Sequence, residues 1–195
     1  LLQSADGLAW QICSESAQGE GIDETGLGFL PDGRFIAVSR FEGSGGLFGS
    51  DRSATLVMQS TPPYLTWQVV ERNPTVRLDS PALFASRGRI YAIGRFQPEA
   101  IGWIQRQGSV FSRKRTALFQ VYPGCLMHLL DFPSTGDTAY AGAALFEQKL
   151  VVSYYSSALD QDLSWMVGML LPTHIRTAVI HLSDLEGLDQ QRSVV

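Results

Sequence analysis

The sequence predicts an all-β chain built from repeated hairpins, and three stretches carry that prediction. Asp23 to Arg40 (DETGLGFLPDGRFIAVSR), Ser80 to Arg95 (SPALFASRGRIYAIGR) and Thr138 to Ser156 (TAYAGAALFEQKLVVSYYS) share one outline. Each joins an apolar run, through a short turn, to a strand of alternating Val, Ile, Ala and aromatic residues. The strands AVSR, AIGR and VVSYYS begin at 37, 92 and 151, spacings of 55 and 59 residues. That period exceeds the roughly 40 to 45 residues of a WD40 blade and fits a four-stranded β-propeller blade with generous loops. Residues 1–195 therefore read as about three blades, with hairpin units near 24–40, 80–95 and 138–156.

Each element has a local reason. In Ser4 to Trp10 (SADGLAW), Ser, Asp and Gly form a turn ahead of a Trp. The Asp side chain is expected to accept backbone N–H groups there, and the indole to wedge between adjacent strands. Ser60 to Trp67 (STPPYLTW) repeats the outline 56 residues later without the Asp and Gly. The first hairpin has strands at 24–30 and 35–40 around Pro31, Asp32, Gly33 and Arg34, because Pro presets φ and Gly accepts the positive φ that closes the turn. A Gly- and Ser-rich loop, 41–52, follows Arg40 and precedes strands at 53–60 and 66–71. After the second hairpin come a strand at 101–105 and a basic turn at Arg113, Lys114 and Arg115. From Arg115 the chain predicts a strand, a turn at Pro123 and Gly124, a second strand, and a polar loop delivering Tyr140. A short helix or strand at 162–171 and a closing strand, RTAVIHL, complete the pattern, and no longer 3.6-residue periodicity competes with it.

A chain of 195 residues with 45% hydrophobic content can bury a substantial core. A net charge of −4 argues against nucleic acid as a partner, which requires a basic face. The basic residues are 13 Arg and two Lys. Arg pairs bidentately with carboxylates, so this bias suits carboxylate recognition; a GC-rich genome favouring Arg codons accounts for it equally well. Cys13 and Cys125 are too few for a disulfide framework and read as two free buried thiols, with pairing left open. No run approaches the roughly 20 apolar residues that span a bilayer. The chain begins without Met, on a polar turn, and reads as a piece of something longer.

Taken together, DETGLGFLPDGRFIAVSR, RTALF, GDTAYAGAALFEQKLVVSYYSS and SADGLAW resemble the sialidase (exo-α-sialidase, neuraminidase-like) superfamily of six-bladed β-propellers, over most of residues 4–182. SADGLAW is similar to that family's Asp-box, or BNR repeat, one residue short. The resemblance implies an exo-acting glycoside hydrolase for terminal sialic acid or a related sugar, needing no cofactor. Its catalytic residues would be Tyr140 as nucleophile and Glu24 as its base, with Arg40 and Arg115 holding the substrate carboxylate. A periplasmic or extracellular location is implied as well. Sialic acids are anionic ketosides, so a phenol made nucleophilic by an adjacent Glu meets less repulsion than a carboxylate would. Sialidases are the Tyr-nucleophile exception among glycosidases, and a phenol of reference pKa about 10 needs a base within reach and nearby positive charge.

Other readings stay open at each position. Glu24 also suits an exposed strand start, Arg115 a solvated basic turn, and Tyr140 a core aromatic, as do Tyr154 and Tyr155. Arg40 and Arg95 end matching strings, which makes a strand-end Arg partly a feature of the repeat. His128, His174 and His181 show no metal-ligand spacing and suit satisfied strand positions; Pro98 and Glu99 receive no role. The family's first triad Arg and its acid/base Asp belong to earlier blades. Half a propeller exposes strand edges and an apolar face, so the remaining propeller half or another copy of the chain is the expected partner. The alternative is a non-catalytic propeller of the same type that binds a glycan or protein.

Overall fold

In the computed structural model, which describes residues 1–15, 21–122, 124–185 and 187, the chain is all-β. A two-stranded ribbon comes first, β1 (Leu2–Gln3) with β2 (Gln11–Ile12). The first four-stranded antiparallel sheet follows: β3 (Ile22–Phe29), β4 (Phe35–Phe41), β5 (Ala54–Ser60) and β6 (Gln68–Asn73). The second contains β7 (Asp79–Ser86), β8 (Arg89–Phe96), β9 (Arg115–Tyr122) and β10 (Cys125–Asp131). The third has three strands, β11 (Thr138–Phe146), β12 (Lys149–Ser157) and β13 (Thr173–His181). A four-residue helix, α1 (Trp165–Gly168), lies in the β12–β13 connection. Every sheet is a meander whose first strand packs against the next sheet's first strand, β7 lying between β3 and β11. That is the blade arrangement the repeat period predicts.

Turn chemistry sets the first hairpin. Gly33 takes φ of 85°, its N–H and that of Leu30 bond Leu30 and Arg34 carbonyls, and Asp32 accepts the Arg34 N–H. The middle sheet buries both faces, and period-two alternation divides its side chains. On β8, Ile90 and Ala92 join Ile36, Val38 and Val57 between the first and second sheets. Tyr91 and Ile93 join Leu150, Val152 and Tyr154 between the second and third. Strands buried on two faces read as continuous apolar runs, which explains RIYAIGRF and TALFQV. At Gly26 a Cβ would strike the Pro81 carbonyl, so the first two sheets meet backbone to backbone.

Several expectations change. Residues 101–105 form a turn closed by a single bridge between Ile101 and Gln105, not a strand. Tyr140 lies within β11 rather than on a loop. The Ser4 to Ala9 turn forms as expected, with Asp6 Oδ1 accepting the Leu8 and Ala9 N–H groups at 2.8 and 2.9 Å. Its Trp10, however, is 61% exposed and does not wedge between strands. Trp67, in the degenerate copy, does pack: its ring lies 5.5 Å from Phe35 and its indole N–H donates to Ser14 Oγ at 2.9 Å. Both cysteines are free, but Cys125 is exposed at the start of β10 rather than buried. Pro123 of the predicted turn lies outside the described residues.

Candidate active site

One irregularity recurs at the same place in all three sheets. Each first strand carries an extra residue near its start, with register slips between Ile22 and Thr25, Asp79 and Ala82, and Ala139 and Gly142. Such bulges re-aim side chains, and these three turn Glu24, the Ser80 backbone and Tyr140 toward one another. Ser80 and Tyr140 take φ of 50° and 48°. For residues with a β-carbon that conformation is strained, a condition that clusters at functional sites.

Glu24 is the junction of the three bulges. Its Oε2 accepts the Ser80 N–H at 2.8 Å and lies 2.7 Å from Arg40 Nη1. Its Oε1 is 3.5 Å from the Tyr140 hydroxyl. Tyr140 is 68% exposed, so the phenol faces the cavity mouth and is not a core aromatic. The Glu24–Arg40 contact follows from the hairpin, which brings residues 16 apart back together across its open end.

Arg40 is clamped as well: its Nε and Nη2 donate to the two oxygens of Asp23 at 2.8 and 2.6 Å. Burial works against the guanidinium charge, but hydrogen bonds to Asp23 and the charges of Asp79 and Glu24 more than offset it and raise the Arg40 pKa. Beneath lies Asp79, almost wholly buried, which accepts from Arg77 Nε at 2.7 Å and from Arg95 Nη2 at 2.9 Å. Burial alone would raise the Asp79 carboxyl pKa; Arg95, Arg77, Lys114 and Arg40 hold it below the usual range instead. The Arg95 guanidinium lies 4.1 Å over the Trp165 ring, a cation–π contact. Asp137 accepts the Trp165 indole N–H at 3.0 Å and the Tyr155 hydroxyl at 3.2 Å, and burial with the nearby Asp137 pushes the Tyr155 pKa up to about 12. These groups surround a cavity of about 440 Å³, whose rim includes Gly45, Gly46, Gly49 and Gly108.

Of the four residues named from the sequence, Tyr140, Glu24 and Arg40 come together at this cavity, and Arg115 does not. Neighbouring residues entering a strand point to opposite sides. Lys114 turns inward to Gln97 Oε1 at 3.0 Å, and Arg115 turns outward to Asp162 at 2.7 Å. Arg115 thus lines a different cavity, of about 490 Å³, together with Pro98 and Glu99. Arg95, set aside as a repeat feature, reaches the central cavity instead. Its match to Arg40 is displaced by one position: Arg95 pairs with Asp79 ahead of the bulge, whereas Arg40 stands opposite the bulge. Tyr155 lines the cavity, while Tyr154 is core, its hydroxyl donating to the Pro133 carbonyl at 2.9 Å. The 16-residue interval from Asp79 to Arg95 repeats that of Glu24 to Arg40, and was the signal that could have revealed Asp79. Nothing comparable marks Arg77, Asp137 or Trp165.

With this geometry in hand, the solved structures of other proteins become informative. The chain superposes on an α-L-arabinofuranosidase of Fusarium graminearum with a TM-score of 0.56, at 10% identity, covering 84% of this chain and 46% of that one. It is also similar to a family 117 glycoside hydrolase of Zobellia galactanivorans (TM-score 0.52, 10% identity, 82% and 52% covered). A third match is an α-L-arabinanase of Penicillium chrysogenum (TM-score 0.50, 12% identity, 83% and 46% covered). The chain has the fold of a β-propeller glycoside hydrolase. It spans about half the length of the solved structures it matches. At such identities the likeness is one of fold. No known family profile matches the sequence, and no curated protein does.

Proposed function

We propose that the central cavity is the reactive site of an exo-acting glycoside hydrolase in which Tyr140 is the nucleophile and Glu24 its base. The observation that carries this reading is the approach of the Tyr140 hydroxyl to Glu24 Oε1, 3.5 Å, from a strained bulge at an open cavity. On approach of the substrate, Glu24 takes the phenol proton as the oxygen attacks the anomeric carbon. The sugar then passes to Tyr140 while the leaving oxygen is protonated by an acid. A second step, with water, reverses the roles. Arg40, 2.7 Å from Glu24, places a positive charge beside the pair in which negative charge develops during the attack.

In its sialidase form the reading makes sialic acid, or a related sugar, the substrate, with its carboxylate on Arg40. Asp23 holds that fork in the free protein and is half-exposed, so the substrate carboxylate enters by displacing it. Arg95 takes the clamp role first assigned to Arg115. The acid/base Asp and the third arginine of the mechanism are assigned to further blades, in the remaining half of a six-bladed propeller or a second copy of the chain. The half-length match to the hydrolases supports that assignment.

A second reading, a glycan-binding propeller without activity, is favoured by one observation. Arg40, Arg77 and Arg95 are each already bonded to a carboxylate of the protein. Hydrolysis of fluorogenic glycosides, a sialoside first, by the protein with its full complement of blades separates the two. Under the hydrolase reading Tyr140→Phe lowers turnover on the order of 10⁴-fold. Absence of turnover in the wild type across the panel leaves the binding reading.

A further inference from the structure

We infer that the cavity beside Arg113 and Arg115 is a second carbohydrate site, taking an uncharged sugar ring of the same glycan whose terminal residue occupies the central cavity. The inference rests on the glycosidase reading for its placement, but on its own side chains for its chemistry.

The two cavities are separated by a single ribbon of backbone. Trp165 N–H bonds the Ser112 carbonyl at 2.9 Å, Met166 N–H bonds the Val110 carbonyl at 2.8 Å, and Arg113 bridges to Ser164. Alternation across this ribbon sends Val110 and Trp165 into the central cavity and Phe111 and Ser164 into the outer one. The leaving group of a glycan bound centrally therefore needs to cross only this ribbon to reach the second cavity. That cavity, about 490 Å³, does not end at Arg115. Beyond the Arg115–Asp162 pair it continues into a shallower recess of about 260 Å³, whose lining also includes both residues. The pair is a saddle in an elongated groove, a shape for more than one ring.

The lining has the two faces a sugar requires. Phe111 and Ile101 offer apolar surface to the C–H face of a ring, and planar polar groups are spaced among them for hydroxyls. Asp162 engages only part of the arginines: Arg113 Nε at 3.1 Å and Arg115 Nη2 at 2.7 Å. Both Nη groups of Arg113, a side chain 63% exposed, have no partner among the described residues. Nor does the Glu99 carboxylate, so this cavity holds uncommitted donors and an uncommitted acceptor. Arg113 and Arg115 balance Glu99 and Asp162 in charge, which selects a neutral ring over a uronate.

The test titrates lactose, cellobiose and xylobiose, with galacturonate as the charged comparator, into the protein by calorimetry and by ligand-observed NMR. Binding of at least one neutral disaccharide is expected, weakened about tenfold by Arg113→Ala and by Glu99→Gln and retained in Tyr140→Phe. Both substitutions are at the surface, so folding is preserved. The inference is overturned if none of the disaccharides binds, if both variants bind as the wild type does, if Tyr140→Phe abolishes binding, or if galacturonate binds more tightly. Because binding is read without turnover, failure of the catalytic reading, seen as absent hydrolysis, leaves this outcome independent.

Discussion

The two cavities at this end of the molecule are built from the same residue types and differ in how far those residues are satisfied by one another. Around the central cavity Arg40, Arg77 and Arg95 are locked to Asp23, Glu24, Glu42 and Asp79. Around the outer cavity Arg113 and Arg115 share a single Asp162, Arg115 donating also to the Lys114 carbonyl, and the Nη groups of Arg113 are left to the solvent. A saturated ion network fixes geometry, because removing its buried centre, Asp79, strands Arg77 and Arg95 in a place water does not reach. An unsaturated one is free to accept hydroxyl groups in several arrangements. The central cavity has the preorganisation of a reactive site, and the outer one the adaptability of a binding surface. If that contrast is right, substitutions centrally should damage chemistry and folding, and substitutions in the outer cavity should alter only affinity.

The largest effect belongs to Tyr140→Phe, which removes one oxygen from an exposed ring. A loss of turnover on the order of 10⁴-fold, equivalent to about 5 kcal/mol of barrier, is expected with the unfolding midpoint unchanged. A loss of stability of similar size would make Tyr140 a packing residue and erase the contrast. Next is Asp79→Asn, which leaves Arg77 and Arg95 buried without their counter-charge. Chemical denaturation should show a loss of about 3–5 kcal/mol. A change below about 1 kcal/mol would mean that the network is solvated and not preorganised.

A matched pair of glycines sharpens the comparison further. Gly102 and Gly108 lie in one loop with φ of 59° and 87°. A Cβ at Gly102 meets open space beside the outer cavity, whereas at Gly108 it collides with the Arg77 guanidinium. Gly102→Ala should cost only the left-handed backbone strain, about 1–2 kcal/mol. Gly108→Ala should cost about 1–3 kcal/mol more, because the arginine must leave its place between Asp79 and Glu42. Equal destabilisation would show that Arg77 yields without consequence.

The hairpins were legible in the sequence because their causes are local. Pro31 and Gly33 set one turn, and alternation set the strands on either side. Glu24 and Arg40 were legible as a pair for a related reason: a hairpin of known length returns its ends to one place. The identity of the second cavity arginine was not legible. AVSR and AIGR match as strings, yet pairing puts Arg40 opposite its bulge and Arg95 one step beyond. Arg115 faces away from the central cavity because its neighbour Lys114 takes the inward position, a choice that depends on Gln97 and Trp165 and not on the local sequence. Buried charge is the least legible feature of all. Asp79 is tolerable inside only because Arg77, two residues before it, and residues 95 and 114 from two other segments converge on it.

Lys114 gives that last point a measurable form. It is one of the most completely buried side chains in the protein, with Nζ 5.4 Å from the centre of the Trp165 ring. Burial pushes its pKa down to about 7; Asp79 opposes this, and Arg95 and Arg77 add to it. In the unfolded chain the ammonium recovers its ordinary value near 10.4. Between about pH 7 and 10 the unfolded state therefore binds more protons than the folded one, and folding stability must rise with pH through that window. The contribution is at most about 1.4 kcal/mol per pH unit. It is isolated as the difference between the denaturation midpoints of the wild type and of Lys114→Met, in which the slope should disappear. Equal pH profiles in wild type and Lys114→Met would show that the Lys114 ammonium is hydrated in the folded protein. The ion network beneath the cavity would then be open to water, and the distinction from the outer cavity would be lost.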